Sequence, residues 1–241
     1  MRNGKEKTIF ITFFNSKIDI DYPQNKYIEP LIVVYNNLPP KKTHSKTRLV
    51  HSGELEALKQ LNDFEISRYV KFFPSLFIEK SADRFVYFDF RIKLKKKFIV
   101  FCKTTNGLYT LPHREGGSLK DEIIRNLTRK RIKPKILVHY LKTFKPNLNL
   151  EISENGVFFT NKQLSESLYH DLSESLKVIQ RDQLLTPMLL SDKIKKLNFT
   201  LWDRSHFVVR SKELGIIGRL KNFIYEYSNL PLWYRKKFRR D

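Results

Sequence analysis

The chain has 241 residues, 41% of them hydrophobic, and its 46 Lys and Arg against 25 Asp and Glu give a formal net charge of +21 at pH 7. Nineteen Phe and eleven Tyr exclude a disordered polycation, because they supply enough apolar surface for a core. One cysteine, Cys102, excludes an intramolecular disulfide and a thiolate zinc site. No apolar run approaches the roughly 18 residues that a membrane-spanning helix needs. The excess charge therefore predicts a polyanionic partner, with nucleic acid ahead of a membrane surface.

The amino-terminal segment predicts strands followed by helices. Ile9, Ile11 and Phe13 alternate as in a strand over residues 7–20, and residues 28–35 form a second β-rich run. Helices are predicted over 52–60 and, after Asp63, over 64–73, where Pro74 ends the pattern. Between these strands and helices, residues 41–48 contain no apolar residue and no acid. They predict a loop or arm, with phosphate binding and simple solvation as equal alternatives.

Residues 84–94 predict the clearest strand, because apolar and mixed side chains alternate along its length. Lys95, Lys96 and Lys97 are interpreted as a basic turn into a second strand over 98–103. The open face of this hairpin combines aromatic and basic residues, a composition similar to RNA-binding sheets, although strand aromatics are more often core residues.

Two helices and a boundary follow. Ser118 and Asp121 approximate a capping box for a helix through residue 130, and Pro134 suits the first turn of a helix that ends before Pro146. The predicted domains are residues 1–146, an α+β extension with antiparallel hairpins; 147–228, an RNA-binding unit; and 229–241, a basic aromatic tail.

The carboxy-terminal unit predicts a helix, a strand, a basic hairpin tip and another strand. Thr160 and Gln163 form a capping box before a helix with an apolar stripe. The run 186–190 is predicted to be a strand because Pro187 disfavours helix. Strand 199–202 then follows a charged tip.

This stretch resembles small-subunit ribosomal proteins of the S-ten family. Thr186-Pro187-Met188-Leu189-Leu190 stands at the proline-rich strand of that family, and Phe199-Thr200-Leu201-Trp202 matches its next strand. Arg204-Ser205-His206 matches R-S-P-H without the proline, and Arg210-Ser211-Lys212-Glu213 lies at the K-S-R-E position. The resemblance covers roughly residues 160–227.

The resemblance implies an α+β fold: a ferredoxin-like split β-α-β carboxy-terminal unit with a basic hairpin, beside a mixed α/β amino-terminal extension. It implies a non-catalytic constituent of a small ribosomal subunit. Alanine is rare while Lys, Asn, Ile, Phe and Tyr are plentiful, which indicates an AT-rich genome, so we expect a protein of the mitochondrial matrix, with encoding by the organelle as one option. The partners would be ribosomal RNA and other small-subunit proteins, with no membrane, small-molecule substrate, cofactor or metal. The candidate RNA-binding residues are Lys193, Lys195, Lys196, Arg204, His206, Arg210, Lys212, Arg235, Lys236, Lys237, Arg239, Arg240, Lys95, Lys96 and Lys97.

Two alternatives come from other classes. The first is an organellar or viral nucleic-acid enzyme, such as a metal-dependent endonuclease or replication protein. Its carboxylates could come from Asp19, Asp21, Asp83 and Asp89 and hold Mg²⁺, although such residues more commonly form ion pairs. A peripheral membrane or respiratory-complex subunit is the third hypothesis.

Overall fold

The computed structural model describes residues 7–15, 27–41, 43, 46–90, 92–105, 107–113, 117–190, 195–196 and 208–210. The strands in these ranges are β1 (Thr8–Phe14), β2 (Leu31–Tyr35), β3 (Thr47–His51), β4 (Arg84–Phe88), β5 (Ile92–Leu94), β6 (Tyr109–Pro112), β7 (Ser153–Thr160), β8 (Lys195–Lys196) and β9 (Val208–Arg210). The helices are α1 (Asp63–Phe72), α2 (Pro74–Phe77), α3 (Lys96–Thr104), α4 (Leu119–Thr128), α5 (Pro134–Phe144), α6 (Lys162–Val178) and α7 (Asp182–Leu190).

Seven strands form one mixed sheet in the order β3-β2-β1-β4-β7-β6-β8. The strands β3, β2, β1 and β4 are parallel to one another, whereas β7 is antiparallel to both β4 and β6. The short strands β5 and β9 form a separate antiparallel pair. The parallel half is the part of the sheet that aligns several strand carboxyl ends along one edge.

Both faces of the central strands are buried, which explains their continuous hydrophobic runs. All seven residues of β1 are buried. Ile9 and Ile11 face one core together with α1 and α4–α7, while Phe10 and Phe14 face a second core with α3. The sheet is therefore the middle layer between two helical layers.

The ferredoxin-like prediction for the carboxy-terminal unit is wrong. Residues 186–190, expected to be a strand, lie in α7 with Pro187 inside the helix. Leu184, Leu185 and Leu190 of α7 are buried in the core, and this burial stabilises the helix despite its proline. The hydroxyl of Tyr140 also donates a 2.8 Å hydrogen bond to the Leu184 carbonyl. The strand that carried the family resemblance is absent from this part of the structure.

The predicted hairpin over residues 84–103 is also wrong. Residues 84–94 divide into β4 and β5, and residues 98–103 belong to α3 instead of a second strand. Phe98, Ile99 and Cys102 recur at helical spacing and pack under the sheet. Every residue of β4 is buried, so β4 has no open face for RNA.

Other sequence predictions are confirmed. The structure has β1, β2, α1, α5 and α6 where the patterns predicted them, and Ser118 with Asp121 forms a capping box at the start of α4. Residues 52–58 form two short 3-10 helices where one longer helix was predicted. The last two residues of the basic arm, 47 and 48, belong to strand β3. Residues 42, 44 and 45 of that arm lie outside the described residues.

Strands from both sides of the predicted boundary at residue 146 belong to the same sheet, because β7 lies between β4 and β6. The three-part domain division stays a prediction, and residues 229–241 lie outside the described residues. Among the described helices, none combines the length and apolar character needed to cross a membrane.

Candidate functional site

The sheet order places a topological switch point between β1 and β4. From β1 the chain builds β2 and β3 on one side, then returns to place β4 on the other side. In open α/β sheets, ligands bind outside the carboxyl ends of the strands at such a point. We call residues 14–15 at the end of β1 and 88–90 at the end of β4 the switch-point edge. The rings of Phe14 and Phe90 meet there edge to face, with centroids 5.6 Å apart.

A network of amides ties the strand ends to the start of α1. The Asn15 side chain donates a 2.7 Å hydrogen bond to Asp63 Oδ2, and the Asn36 side chain donates to Asp63 Oδ1. The Asn37 side chain donates to Asn15 Oδ1. Because these groups largely satisfy one another, the network orders the β1 and β2 ends and leaves little capacity for a ligand.

The end of β3 joins the same network through His51 and Ser52. The Ser52 hydroxyl donates a 2.6 Å hydrogen bond to Asn36 Oδ1. The Gly53 amide donates to His51 Nδ1 at 3.1 Å, so Nε2 is the protonated ring nitrogen and donates to the Asn36 carbonyl at 3.0 Å. Both ring nitrogens are therefore occupied by structural bonds.

The amino terminus of α1 is likewise satisfied by its own residues. The Asn62 side chain accepts hydrogen bonds from the amides of Phe64 and Glu65, and Glu65 completes the capping box through the Asn62 amide. A helix terminus capped in this way has few free amides for an anion.

Asp89 is the carboxylate at the end of β4, and it keeps one oxygen available. Its Oδ1 accepts a 2.9 Å hydrogen bond from the Tyr87 hydroxyl, and its amide donates to the Gly156 carbonyl at 2.8 Å. Within the described part of the chain, Oδ2 makes no hydrogen bond. Asp89 is half-buried, so this oxygen lies where a ligand could reach it.

Behind Asp89 lies a buried ion cluster formed by α1 and α7. Lys71 Nζ lies 2.8 Å from Asp182 Oδ2, and Arg68 Nη2 lies 3.3 Å from Asp182 Oδ1. The side chains of Lys71 and Asp182 are only 5% and 7% exposed. Lys71 Nζ also lies 4.9 Å from the ring centroid of Tyr87, which links the cluster to the Tyr87–Asp89 hydrogen bond.

The charges in this cluster shift the protonation equilibria of its members. Burial raises the pKa of the Asp89 carboxyl, although the positive charge of Lys71 and the hydrogen bond from Tyr87 oppose the rise. Burial would also raise the pKa of Asp182, but Lys71 and Arg68 more than offset this, so its pKa lies below the ordinary value. Burial raises the pKa of Tyr87 well above its usual range, and its hydroxyl therefore remains a donor.

Chemically, the switch-point edge can accept hydrogen bonds from a polar ligand. Asp89 Oδ2 is an anionic acceptor, the type of group that binds ribose hydroxyls in dinucleotide sites. In the described ranges, no group of three or more His, Cys, Asp or Glu lies together as a possible set of metal ligands.

The predicted RNA-binding residues that the structure describes lie on separate elements of the fold. Lys95 precedes α3, and Lys96 and Lys97 are exposed in its first turn instead of in a hairpin tip. Lys195 and Lys196 form the edge strand β8 beside β6, and Arg210 ends β9 in the other sheet. The other candidates lie outside the described residues: Lys193, Arg204, His206, Lys212, Arg235, Lys236, Lys237, Arg239 and Arg240. Their contact with RNA stays an untested prediction.

The two carboxylates of the proposed nuclease site that the structure describes, Asp83 and Asp89, do not come together. Asp83 and Asp89 flank opposite ends of β4, and Asp83 accepts a 2.6 Å hydrogen bond from the Lys7 amide. Asp19 and Asp21 lie outside the described residues. Of the two described members of that set, Asp89 is the one at the switch-point edge.

Sequence reasoning did not find Lys71, Arg68, Asp182 or Tyr87. Lys71 and Asp182 are 111 positions apart, so only the packing of α7 against the sheet brings them together. Tyr87 stands two residues before Asp89, a spacing that the sequence shows only as strand alternation. A lysine within the apolar face of α1 was the available signal, because a buried lysine requires a partner.

Comparisons with known proteins give structural likeness alone. No protein-family model matches the chain, and no curated protein matches it either. Among solved structures, it is similar to the galactosyltransferase LgtC in complex with donor and acceptor sugar analogs, at 12% identity and a TM-score of 0.47, over 79% of this chain and 73% of that one. It is also similar to the glycosyltransferase GlyE of Streptococcus pneumoniae TIGR4, at 13% identity and a TM-score of 0.44, over 97% of this chain and 64% of that one. A third is the bifunctional glycosyltransferase WbbM, at 11% identity and a TM-score of 0.46, over 100% of this chain and 53% of that one.

These findings correct the functional predictions. The ribosomal assignment, with its RNA and ribosomal-protein partners, is wrong, because the strand that carried the resemblance is part of α7 and the sheet is an open mixed α/β sheet. The nucleic-acid enzyme is wrong as well: the described carboxylates of its proposed site, Asp83 and Asp89, lie at opposite ends of β4, and the similar solved structures are glycosyltransferases. The predictions of a non-catalytic chain and of no small-molecule substrate are also contradicted by this comparison, because the similar solved structures are glycosyltransferases. The mitochondrial location stays untested.

Proposed function

We propose that this chain binds a nucleotide-linked small molecule, with a nucleotide sugar as the first ligand class, at the switch-point edge. The observation that carries the proposal is Asp89: a carboxylate at the end of β4, beside the end of β1, with Oδ1 held by Tyr87 and Oδ2 making no hydrogen bond among the described residues. Ligand hydroxyls would donate to this oxygen, as ribose hydroxyls do to acidic residues at other switch points.

The surroundings of Asp89 support a ligand contact more than a structural role. A buried carboxylate that serves structure normally has its oxygens paired, as Asp182 does with Lys71 and Arg68. Asp63 is similarly occupied by Asn15 and Asn36. Asp89 differs from both, because its second oxygen makes no hydrogen bond to any described residue and lies at the edge where ligands bind.

Binding can be tested by calorimetry on the whole chain with UDP, GDP, CDP and ADP and their sugar conjugates, each with and without MgCl2. We expect at least one of these ligands to bind wild-type protein. A hydrogen bond to a charged group contributes about 1.5–3 kcal/mol, so Asp89→Asn should weaken that binding by roughly ten- to a hundredfold. Transfer of the sugar from the bound conjugate to an acceptor hydroxyl is the reaction to assay next.

Asp83→Asn is a matched control, because Asp83 precedes β4 at the opposite edge of the sheet. It removes the same charge from the protein while its amide oxygen can still accept the bond from the Lys7 amide. Equal weakening by both substitutions would indicate a general charge effect. No binding by any ligand in the panel, or an unchanged affinity in Asp89→Asn, would contradict the proposal.

A further inference from the structure

Tyr87 is placed to fix the orientation of the Asp89 carboxylate. The tyrosine is 2% exposed within the core that includes Phe72 and Phe158, so its ring has one packed position. From that position its hydroxyl donates to Asp89 Oδ1 at 2.9 Å. Because the bond engages one oxygen, the other is directed away from Tyr87 and remains available to a ligand.

The charged groups around this bond come from three elements. Lys71 and Arg68 face it from α1, Asp182 faces it from α7, and Asp89 itself follows β4. Two cations and two carboxylates balance one another, with Lys71 Nζ over the Tyr87 ring. The charges of Lys71 and Arg68 oppose the rise that burial imposes on the pKa of Asp89 and so favour its ionised form, which is a stronger acceptor than the neutral form.

We propose that Tyr87 is a positioning residue for Asp89, holding Oδ1 so that Oδ2 is presented to the ligand at the switch-point edge. The inference depends on the proposed role of Asp89 as the ligand contact. Tyr87 touches no ligand in this arrangement, since its hydroxyl points to Oδ1 and its ring is buried. Tyr87 therefore affects ligand binding only by orienting the Asp89 carboxylate.

Tyr87→Phe tests this role, because it removes the hydroxyl and keeps the ring that fills the core. Tyr140→Phe is the control: Tyr140 is also fully buried, and its hydroxyl also donates a hydrogen bond, at 2.8 Å to the Leu184 carbonyl, with Met188 Sδ at 3.5 Å. Both variants lose one buried tyrosine hydroxyl with its hydrogen bonds, so general destabilisation should affect them alike.

The first measurement requires no ligand. The carboxyl carbon of Asp89 is followed by NMR in protein labelled with carbon-13 at aspartate, and its signal is assigned by its loss in Asp89→Asn. We expect the pKa of Asp89 to rise in Tyr87→Phe, because the hydrogen bond that favours the carboxylate is gone, and to stay unchanged in Tyr140→Phe. An unchanged pKa in Tyr87→Phe would overturn the inference.

The second measurement uses the ligand panel above, with UDP as the first probe. Tyr87→Phe should weaken binding about tenfold near neutral pH, with the loss growing as the pH falls, whereas Tyr140→Phe should bind like wild type. Equal weakening in both variants would overturn the positioning role. If wild-type protein binds no probe, the proposed function fails, while the NMR titration still decides whether Tyr87 holds Asp89.

If Tyr87→Phe does not fold, wild-type protein supplies the decisive measurement. A hydroxyl hydrogen bonded to the carboxylate should shift the Asp89 carboxyl carbon signal when water is exchanged for deuterium oxide. Exposed aspartates such as Asp171 provide the reference shift. A shift equal to that reference would overturn the inference.

Discussion

Asp182→Asn should destabilise the protein strongly, because it leaves two cations without their carboxylate. The Lys71 and Asp182 side chains are 5% and 7% exposed, and Arg68 is 14% exposed, so solvent screens these charges poorly. Removing one partner of a buried ion pair typically costs about 3–5 kcal/mol. Domains of this size have a free energy of unfolding of about 5–15 kcal/mol, so the loss would be a large fraction of the total.

Urea unfolding at pH 7 and 25 °C measures this loss, with the slope of the transition checked for constancy between variants. A double variant, Lys71→Met with Asp182→Leu, replaces both charges by apolar groups. We expect it to be closer to wild type than Asp182→Asn, because only the more exposed Arg68 then keeps a charge without its carboxylate. A cost below about 1 kcal/mol for Asp182→Asn, or additive costs in the double-variant cycle, would refute the reasoning.

The same carboxylate should set the acid stability. The pKa of Asp182 in the folded protein lies below its ordinary value of 3.8, so the unfolded chain binds the proton more readily. Its contribution is therefore fully present above about pH 4 and is lost as the pH falls towards the folded pKa. Between pH 5 and pH 2, the unfolding free energy of wild type should fall more steeply than that of Asp182→Asn; parallel pH profiles would contradict this.

Two further predictions concern the opposite end of β4. The Arg84 guanidinium donates to the carbonyls of Cys102, Thr105 and Gly107 and to the Thr8 hydroxyl. Arg84→Met should therefore lower the free energy of unfolding in urea by about 2–4 kcal/mol. A decrease below about 1 kcal/mol would contradict this structural role. Cys102 is buried, and burial raises the pKa of its thiol well above 9.0. Thiol reagents should therefore label the native protein only as fast as the structure around Cys102 unfolds locally. Rapid labelling without urea would show instead that the thiol is accessible in the folded protein.

The sequence alone determined the elements whose signals are local. The cap residues of α4 lie three positions apart, and the alternation of β1 is complete within seven residues, so neither depends on distant neighbours. Local signals failed where burial opposed them. Pro187 predicted a strand, and Lys95 to Lys97 predicted a turn, but the gain from burying Leu184, Phe98 and similar side chains exceeded those preferences.

The sequence identified Asp89 as a carboxylate of interest but not its surroundings. Tertiary structure decided that the end of β4 lies at the switch point beside β1, and that α1 and α7 supply the charges behind it. Chain segments more than a hundred residues apart meet there, and no spacing along the chain records such a meeting. The physical reason is that sheet order and helix packing minimise the exposed apolar surface of the whole chain, and the ion cluster forms where that packing brings α1 and α7 together.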